Sequence, residues 1–444
     1  MSPAAPTTFP MQDIPSLWQE TAGARPALTS FADHGRSTGA QHYDVVIIGG
    51  GYTGLSTARY LARRGMSAVV LEANRIGWGA SGRNGGVVSG KFRLSFSDIA
   101  RRCGLDTARR MHDLGIEAID HVAELIEDYG IANAQYRATG SLRCAHNALS
   151  LEGLKTETAW LRTALGDKAC SILSAPQMQE ETGSPDFVGG MLNTHGGIIH
   201  PLNYVFGLAA GLQAEGIDIF EQTPVLRFLK DGPGVVVETA YGAISAAQVV
   251  IATNSYSDLT KATSAIKRSI IPFRSAMIAT EPLTGEIGLD LLSSDRSYTE
   301  TRRMMRWFRK ADQRLIYGGR GAFGKSDSDS AFAALRRAMV RQFPQLRDVA
   351  VTHGWSGLVA MTLDSIPHMG RLDERVVYAV GYNGTGVALA SNMGKHVAAL
   401  VAGDNPDLGL LTAQKLKPVP FYPIREPSVR LVAGWYQFLD AIGR

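Results

Sequence analysis

The chain has 444 residues, of which 45% are hydrophobic and 19% are charged, and its formal net charge is +4. This length favours two or more domains, and the composition excludes a disordered chain. The weak net charge argues against a nucleic-acid-binding protein, and the basic blocks RR and RRMMRWFRK are short and mixed with apolar residues.

The first 42 residues carry five prolines among Ser, Thr and Ala, and we expect an irregular arm anchored by Leu17 and Trp18. Neither a signal segment nor an apolar run of membrane-spanning length is found. Cys103, Cys144 and Cys170 lack metal-binding and disulfide spacings. We therefore expect reduced thiols, no metal site, no membrane partner and a cytoplasmic location.

A βαβ unit begins at Tyr43, where YDVVIIGGGYTGLSTARYLARRGMSAVVLEA reads as strand, glycine turn, amphipathic helix and strand. Its turn fits the dinucleotide pattern GxGxxG: Gly49 permits a tight turn, Gly51 a close approach to a pyrophosphate, and Gly54 close helix packing. Glu72 ends the second strand, where a carboxylate accepts hydrogen bonds from ribose hydroxyls. FAD or NAD is favoured over NADP, and a packing turn with a coincidental glutamate is the alternative.

The middle of the chain mixes helices and short strands. Helical periodicity covers residues 96–130, and LNYVFGLAAGLQAEG predicts another helix, followed by the strands IDIF, PVLRFL, GVVVETA and AAQVVIAT. The stretches SAMIATEPL, RMMRWFRK and RLIYGGR predict an antiparallel sheet, followed by the helix DSAFAALRRAMVRQF. The proline-containing tail after Gly403 is expected to wrap the surface.

A second strand–glycine–helix unit, RVVYAVGYNGTGVALASNMGKHVAALVAG, decides between the two dinucleotides. A simple NAD dehydrogenase needs no second site of this kind. A flavin gains negative charge on reduction, which a helix N-terminus stabilises. Gly384, Thr385 and Gly386 therefore favour FAD, with a plain helix cap as the alternative.

The loop GWGASGRNGG follows the second strand of the first unit. Its small residues let backbone amides reach a cofactor, and Arg83 can supply charge; a solvated linker is the alternative. We expect valine at Gly82 or Gly85 to lower FAD occupancy before it lowers stability.

The chain resembles the D-amino-acid-oxidase-type flavoproteins, among them bacterial gamma-glutamylputrescine oxidases, in the segments DVVIIGGGYTGLS, LEANRIGWGASGRNGG, GGIIHPLNYV, MIATEPL, RLIYGGR and GYNGTGVAL. The resemblance implies an α/β fold in which a Rossmann-like FAD-binding domain is interleaved with an α+β substrate domain built on an antiparallel sheet. The implied segments are an arm at 1–42, an FAD domain at 43–95, 196–260 and 350–405, a substrate domain at 96–195 and 261–349, and a tail at 406–444.

The resemblance also implies the cofactor-binding residues. The pyrophosphate would be held by Gly49, Gly51, Thr53 and Gly54. The adenosine side would be held by Glu72, Ala73, Arg75 and the backbone of Val225. The path to the isoalloxazine would be lined by Ala80, Ser81, Gly82, Arg83, Asn84 and Gly85, and the pyrimidine end by Gly384, Thr385, Gly386 and Val387. Sarcosine oxidases tether flavin through a cysteine before the last glycine motif; GLVAMTLDSIPHMGR has none, so we expect non-covalent FAD.

The implied activity is oxidation of the C–N bond of a small amine or amino acid by hydride transfer to flavin N5. With oxygen as acceptor, the products would be an imine or aldehyde and hydrogen peroxide. A flavin amine dehydrogenase that passes electrons to a carrier is one alternative. A non-catalytic flavin-fold subunit is another, although an idle subunit need not keep both glycine motifs. The amine and the oligomeric state stay open.

Catalytic candidates come from the strand MRWFRK, where alternation puts Arg306, Phe308 and Lys310 on one face and Trp307 and Arg309 on the other. In the family, a basic residue in this region anchors a substrate carboxylate or promotes the reaction with oxygen. Arg309 is the first candidate and Lys310 the second, against the alternative of solvated charges at a strand edge.

Three further candidates lie near the expected flavin: Arg83, Lys91 and His200 in the segment IIHP. A structural turn histidine is the alternative for His200. Trp355 is expected in the core or in the pocket wall.

Overall fold

The structure is a computed structural model and describes residues 15–34, 42–322, 329–412 and 416–441. Its strands form two large sheets and a two-stranded ribbon. In the described residues the strands are, in chain order, β1 (Thr29–Ser30), β2 (His42–Ile48), β3 (Ala68–Leu71), β4 (Val87–Val88), β5 (Ser141–Ala145), β6 (Cys170–Ser174), β7 (Gly189–Asn193), β8 (Gly197–Ile198), β9 (Asp218–Glu221), β10 (Val225–Asp231), β11 (Gly234–Thr239), β12 (Gly242–Ile251), β13 (Ile271–Thr280), β14 (Ser297–Glu300), β15 (Arg306–Ala311), β16 (Arg314–Ala322), β17 (Val351–Met361), β18 (His368–Asp373) and β19 (Val376–Val380).

The helices accompany both large sheets. Over the same residues they are α1 (Leu17–Thr21), α2 (Phe31–His34), α3 (Tyr52–Ala62), α4 (Phe96–Cys103), α5 (Leu105–Asp128), α6 (Ala148–Trp160), α7 (Ala175–Thr182), α8 (Pro201–Ala214), α9 (Ser264–Lys267), α10 (Gly285–Asp290), α11 (Asp329–Gln342), α12 (Gly386–Val401) and α13 (Arg425–Ala441). Within the part of the chain described, none of them combines the length and the apolar character that a bilayer crossing requires.

The nine-stranded sheet has the order β1-β9-β3-β2-β12-β11-β10, with β19 paired to the second half of β12 and β18 paired to β19. The strands β9, β3, β2, β12 and β19 run parallel. Every residue of β3 and β19 is buried, as expected where helices cover both faces of a parallel sheet. Both glycine turns therefore lie at the carboxyl edge of this sheet.

The eight-stranded sheet has the order β17-β13-β16-β15-β14-β5-β7-β6 and is antiparallel except for the pair β14–β5. Its outer face carries the stacked rings of Tyr298, Phe308 and Tyr317, with centroids 5.5 and 5.9 Å apart. Phe308 is 1% exposed in that aromatic core, whereas Trp307 lines a cavity on the inner face. The alternation predicted for MRWFRK therefore holds.

The N-terminal arm is more regular than predicted. Ser16 caps α1, because its hydroxyl accepts a hydrogen bond from the Gln19 amide while its own amide donates to the Gln19 side chain. Leu17 and Trp18 are buried as expected, and β1 adds to the edge of the sheet beside β9. The prolines obscured the S-x-x-Q capping pattern. Residues 1–14 and 35–41 of the predicted arm lie outside the described residues.

Two other features differ from the sequence-based expectations. The segment 350–405 does not stay together, because β17 pairs with β13 in the eight-stranded sheet while β18 and β19 lie in the nine-stranded one. The predicted tail contains the helix α13, and Pro427 lies in its first turn, where proline costs no helical hydrogen bond. Residues 413–415 and 442–444 lie outside the described ranges.

Candidate functional site

A cavity of about 830 Å³ lies between the carboxyl edge of the parallel strands and the inner face of the eight-stranded sheet. The first residues of α3 and α12 line one side, and residues of β5, β13, β14, β15 and β17 line the other. This volume falls in the upper part of the range for small-molecule sites. A ligand bound there would contact both sheets.

The first glycine turn leaves room for a ligand beside the backbone. Gly49 has φ +110°, and Gly51 caps α3, whose first amides lack helical acceptors. A Cβ on Gly51 would meet the Ser81 Oγ at 2.9 Å and otherwise face the cavity. A Cβ on Gly54 would lie 1.9 Å from the Gly49 carbonyl oxygen, so that glycine packs the helix onto the strand. The Tyr52 amide donates to the Ser81 hydroxyl at 3.2 Å, and the amides that follow it in the first turn, which lack helical acceptors, suit a diphosphate.

Glu72 follows β3 and lines the cavity. Its two carboxylate oxygens accept hydrogen bonds from the amides of Gly50 and Asn74, each at 2.9 Å. Burial raises the pKa of Glu72 and outweighs the lowering by these amides. An ionised carboxylate offers about four acceptor positions, so it can still accept from a hydroxyl donor such as that of a ribose. Ala73 lines the cavity beside it, whereas Arg75 is exposed and lies outside the lining in the described residues.

The loop GWGASGRNGG is ordered by its asparagine. The Asn84 amide donates to the carbonyl oxygens of Ala80 (3.1 Å) and Ser81 (3.0 Å) and accepts from the Gly86 amide (2.8 Å). The Asn84 carbonyl oxygen in turn accepts from the Trp18 indole at 2.8 Å. Ala80, Ser81, Asn84 and Gly85 line the cavity. The N-terminal helix α1 therefore supports the loop that was expected to run along the cofactor.

We expected Gly82 to be small so that the cofactor could lie against it, but the structure gives a different reason. A Cβ there would lie 2.0 Å from the Gly77 carbonyl oxygen and 2.8 Å from a Leu202 methyl, and among the described residues Gly82 is not part of the lining. Its small size serves the turn itself. A Cβ on Gly85 would lie 3.3 Å from the Trp307 indole nitrogen, so the loop meets the eight-stranded sheet at that point.

Arg83 brings a cation to the cavity wall. Its Nε donates to the Trp78 carbonyl oxygen at 2.6 Å, and the guanidinium lies 5.0 Å from the Trp78 ring centroid. The Arg83 carbonyl oxygen accepts from the Trp355 indole at 3.1 Å. Its Nη2 is buried and has no hydrogen-bond partner among the residues described. A buried donor of this kind fits a ligand acceptor or anion.

The second glycine turn faces the same cavity. Gly384 has φ +91°, and a Cβ there would meet only a Val359 methyl, at 3.8 Å. The Thr53 hydroxyl contacts the Tyr382 hydroxyl at 2.6 Å, which ties the start of α3 to the second turn. The predicted residues that line the cavity are Gly49, Gly51, Thr53, Glu72, Ala73, Ala80, Ser81, Arg83, Asn84, Gly85, Val225, Gly384, Thr385, Gly386 and Val387.

Arg309 lies behind the cavity rather than in it. Its Nη1 donates to the carbonyl oxygens of Gly86 (2.7 Å) and Ile199 (2.8 Å), and its guanidinium lies 5.5 Å from the Trp18 ring centroid. Burial lowers the pKa of Arg309 to about 9. The side chain is committed to cross-linking the glycine loop, β15 and α1.

Lys310 and His200 also take other positions. The Lys310 Nζ donates to the Gly288 carbonyl oxygen at 3.2 Å, on the outer face of the sheet. His200 caps α8: its Nδ1 accepts from the Asn203 amide at 3.1 Å, and its Nε2 lies 3.0 Å from the Thr21 hydroxyl. Burial lowers the pKa of His200 to about 4. Across the described ranges, Arg309, Lys310 and His200 are all outside the lining, whereas Arg83 and Lys91 belong to it.

Most of the inner face of the eight-stranded sheet was not predicted from the sequence. The strand registers place one row of residues across it: Ile172, Met191, Arg143, Thr299, Trp307, Gly318, Met277 and Trp355. A Cβ on Gly318 would lie 2.3 Å from the Trp307 indole nitrogen, so that glycine makes room for the tryptophan. Alternation within GSLRCA could have put Ser141 and Arg143 on one face.

These features together fit FAD. The cavity offers amides of two helix starts that lack helical acceptors, a carboxylate with spare acceptor positions, a guanidinium nitrogen that is buried and unpartnered among the described residues, and glycines that leave space beside the backbone.

Comparison with known proteins agrees with this fit. Residues 44–400 match the model of the DAO family, described as FAD dependent oxidoreductase. The chain is 33% identical over 408 residues to the gamma-glutamylputrescine oxidoreductase of Escherichia coli (strain K12), covering 90% of this chain and 93% of that protein. It is also 33% identical over 409 residues to the probable oxidoreductase OrdL of Haemophilus influenzae, covering 91% and 93%.

The crystal structure of glycine oxidase from Geobacillus kaustophilus has the same fold, with a TM-score of 0.70 and 22% identity over 85% of this chain and 99% of that one. The predicted family, fold class and cofactor are thereby confirmed. The chain belongs to the DAO family of FAD-dependent oxidoreductases.

Proposed function

We propose that this protein is an amine oxidase whose substrate is gamma-glutamylputrescine or a close analogue, with oxygen as the electron acceptor. The observation that carries the proposal is the 33% identity to gamma-glutamylputrescine oxidoreductase, which spans 93% of that protein. The cavity is lined both by the two glycine turns and by β5, β7 and β14 of the eight-stranded sheet, which supports a site for a cofactor and an extended amine together.

In this proposal the first glycine turn holds the pyrophosphate, Glu72 the ribose, and the start of α12 the pyrimidine end of the flavin. FAD, when bound, would supply two-electron oxidation of the C–N bond: the carbon next to the amine would lose a hydride, water would hydrolyse the resulting imine to an aldehyde and ammonia, and oxygen would be reduced to hydrogen peroxide. The free Nη2 of Arg83 would stabilise negative charge at the cavity wall.

The protein would orient the amine and keep it uncharged. Trp307 and Met277 present apolar surface to the cavity from neighbouring parts of the sheet. Apolar surroundings disfavour an ammonium group, because desolvation lowers the pKa of an amine. The neutral amine, which has a free electron pair, is the form that a hydride-transfer reaction needs.

Non-covalent binding of FAD is part of the proposal. Cys170 lines the cavity, but burial raises its pKa to about 12, so the thiol is a poor nucleophile at neutral pH. Cys144 is buried under the outer face of the sheet, and Cys103 is exposed. We expect acid precipitation to release all of the flavin into the supernatant; yellow colour in the pellet would contradict this.

The domain division and the location remain proposals as well. We assign the cofactor to the segments around the nine-stranded sheet and the substrate to those of the eight-stranded sheet, and we move the boundary predicted at residue 350 to the end of β17. The three free thiols are compatible with the expected cytoplasmic location.

The deciding experiment mixes the holoenzyme with gamma-glutamylputrescine without oxygen and follows the flavin absorbance. We expect full bleaching within seconds and, on admission of air, rapid recovery with one hydrogen peroxide per turnover. Putrescine is the control for the glutamyl group. No bleaching would contradict the substrate. Bleaching with recovery only after an artificial carrier is added would instead favour the dehydrogenase.

A further inference from the structure

The far wall of the cavity carries an arginine without a partner. Arg143 lies on β5 and faces the cavity together with Ser141, while Leu142 and Cys144 are buried in the opposite core. Within the described residues Arg143 makes no hydrogen bond and no ion pair. Burial lowers its pKa, and Glu157 and Cys170 only partly offset this effect. A guanidinium that faces a cavity with no anion in contact can bind one that a ligand supplies.

A carboxylate faces the same part of the cavity. Glu157 on α6 lines it and accepts a hydrogen bond from the Ser97 hydroxyl. It acts on Arg143 electrostatically, but the two side chains form no ion pair in the residues described. The cavity therefore presents one positive and one negative group that have not neutralised each other by contact.

Two neighbouring charged groups along this wall are paired within the protein. Arg302 forms ion pairs with Asp186 and Glu300, and Asp167 receives a hydrogen bond from His112 at 3.0 Å. These groups are satisfied by the protein itself. Arg143 and Glu157 are the pair whose charges point to a ligand.

The position of Arg143 on the sheet sets a length for that ligand. Trp307, Thr299 and Arg143 occupy consecutive strands in one row, so Arg143 lies two strand spacings, about 10 Å, from Trp307. Trp307 is also where the sheet meets the glycine loop, near Gly85. A ligand reaching from this point to Arg143 must be an extended molecule.

We propose that Arg143 and Glu157 form a subsite for an α-amino-acid head group, with the substrate carboxylate on Arg143 and its ammonium on Glu157. This inference rests on the proposed function and adds how the glutamyl end is selected. In gamma-glutamylputrescine, nine bonds separate the carbon that is oxidised from the carboxylate carbon. That chain spans about 10–11 Å when extended, equivalent to three residues of backbone, and it matches the two strand spacings.

The test uses calorimetric binding to the holoenzyme, so that it does not depend on turnover. Gamma-glutamyl-n-butylamide carries the full head group and lacks the terminal amine, N-butylglutaramic acid lacks the α-ammonium, and N-butylacetamide lacks the whole head. We expect Arg143→Gln to weaken binding of the first two by about 10- to 100-fold and to leave the third unchanged. Arg143→Lys should bind these ligands with intermediate affinity, because lysine keeps the positive charge but cannot form the two parallel hydrogen bonds of a guanidinium.

Glu157→Gln assigns the other half of the subsite. It should weaken binding of gamma-glutamyl-n-butylamide but not of N-butylglutaramic acid. Arg162→Gln, which removes an exposed charge from the neighbouring segment, is the matched control and should bind like wild type. Unchanged flavin spectra and melting temperatures of all variants exclude misfolding.

Two results would overturn the inference: equal affinity of Arg143→Gln and wild type for the glutamyl ligands, or no binding by wild type. The proposed function is judged separately. Binding of the head group without bleaching by gamma-glutamylputrescine would contradict the proposed oxidase activity and support the subsite. Bleaching that is unaffected by Arg143→Gln would support the proposed oxidase activity and contradict the subsite.

Discussion

Two glycine-to-alanine substitutions add the same methyl group and should have opposite consequences. At Gly51 the new Cβ meets one flexible atom, the Ser81 Oγ at 2.9 Å, and otherwise faces the cavity. At Gly82 it lies 2.0 Å from the Gly77 carbonyl oxygen, which is backbone. Gly51→Ala should therefore impair the cofactor site and Gly82→Ala the fold.

The magnitudes follow from these contacts. If Ser81 rotates away, the hydrogen bond from the Tyr52 amide to its hydroxyl (3.2 Å) is lost, at a cost of about 1 kcal/mol. Relief of the Gly82 contact requires a backbone shift, which costs about 1–3 kcal/mol. We expect Gly51→Ala to bind FAD at least tenfold more weakly, a loss of about 1.4 kcal/mol, because the methyl group stands where we propose that the pyrophosphate approaches the backbone.

The assay has two parts. Thermal unfolding of the deflavinated proteins reports the fold, and titration with FAD, followed by quenching of tryptophan fluorescence, reports the site. Gly82→Ala should lower the melting temperature of the apoprotein by several degrees, whereas Gly51→Ala should change it by less than about 3 °C. Wild-type FAD affinity in Gly51→Ala would contradict the role of Gly51 in the cofactor site. An unchanged apoprotein melting temperature in Gly82→Ala would contradict the role of Gly82 in the fold.

Three further predictions concern the residues around the glycine loop. Trp18→Ala removes a fully buried indole that donates to the Asn84 carbonyl oxygen, and it should cost about 3–5 kcal/mol in denaturant unfolding. Arg309→Met should lower stability because three backbone carbonyl oxygens of other segments lose their donor, whereas Lys310→Met, on the outer face, should leave the rate of flavin reduction within about twofold of wild type. Burial lowers the pKa of His200 to about 4 from 6.5, so its contribution to stability is complete above about pH 6.5 and is lost as the pH falls toward 4; His200→Asn, which keeps a helix cap, should flatten that part of the stability profile.

Each of these has a control. Trp18→Phe keeps most of the apolar volume and loses the hydrogen bond, so it separates the two contributions. Arg309→Lys keeps a donor and should recover part of the stability. A steep fall in the flavin-reduction rate of Lys310→Met would show that Lys310 contributes to the reaction, contrary to its position on the outer face. An unchanged pH profile in His200→Asn would mean that another group titrates.

Most of the cavity lining around the two glycine turns could be predicted from the sequence. Dinucleotide recognition is local: the amides, the glycines and Glu72 lie in one strand–turn–helix–strand unit, so their spacing along the chain fixes their spacing in space. The second turn, at Gly384, uses the same local geometry. Even here, tertiary contacts changed one assignment, because Gly82 is small for the sake of the Gly77 carbonyl oxygen rather than for a ligand.

The lining contributed by the eight-stranded sheet could not be predicted in this way. Arg309 and Lys310 are adjacent on one strand, and alternation separates their faces, but it does not tell which face meets the cavity or that α1 fills the space beside Arg309. Arg143 and Trp307 are far apart in sequence. They lie in one row, on either side of Thr299, because β5, β14 and β15 pair in a particular register. Such non-local pairing is set by which surfaces pack together, and a single sequence does not record it.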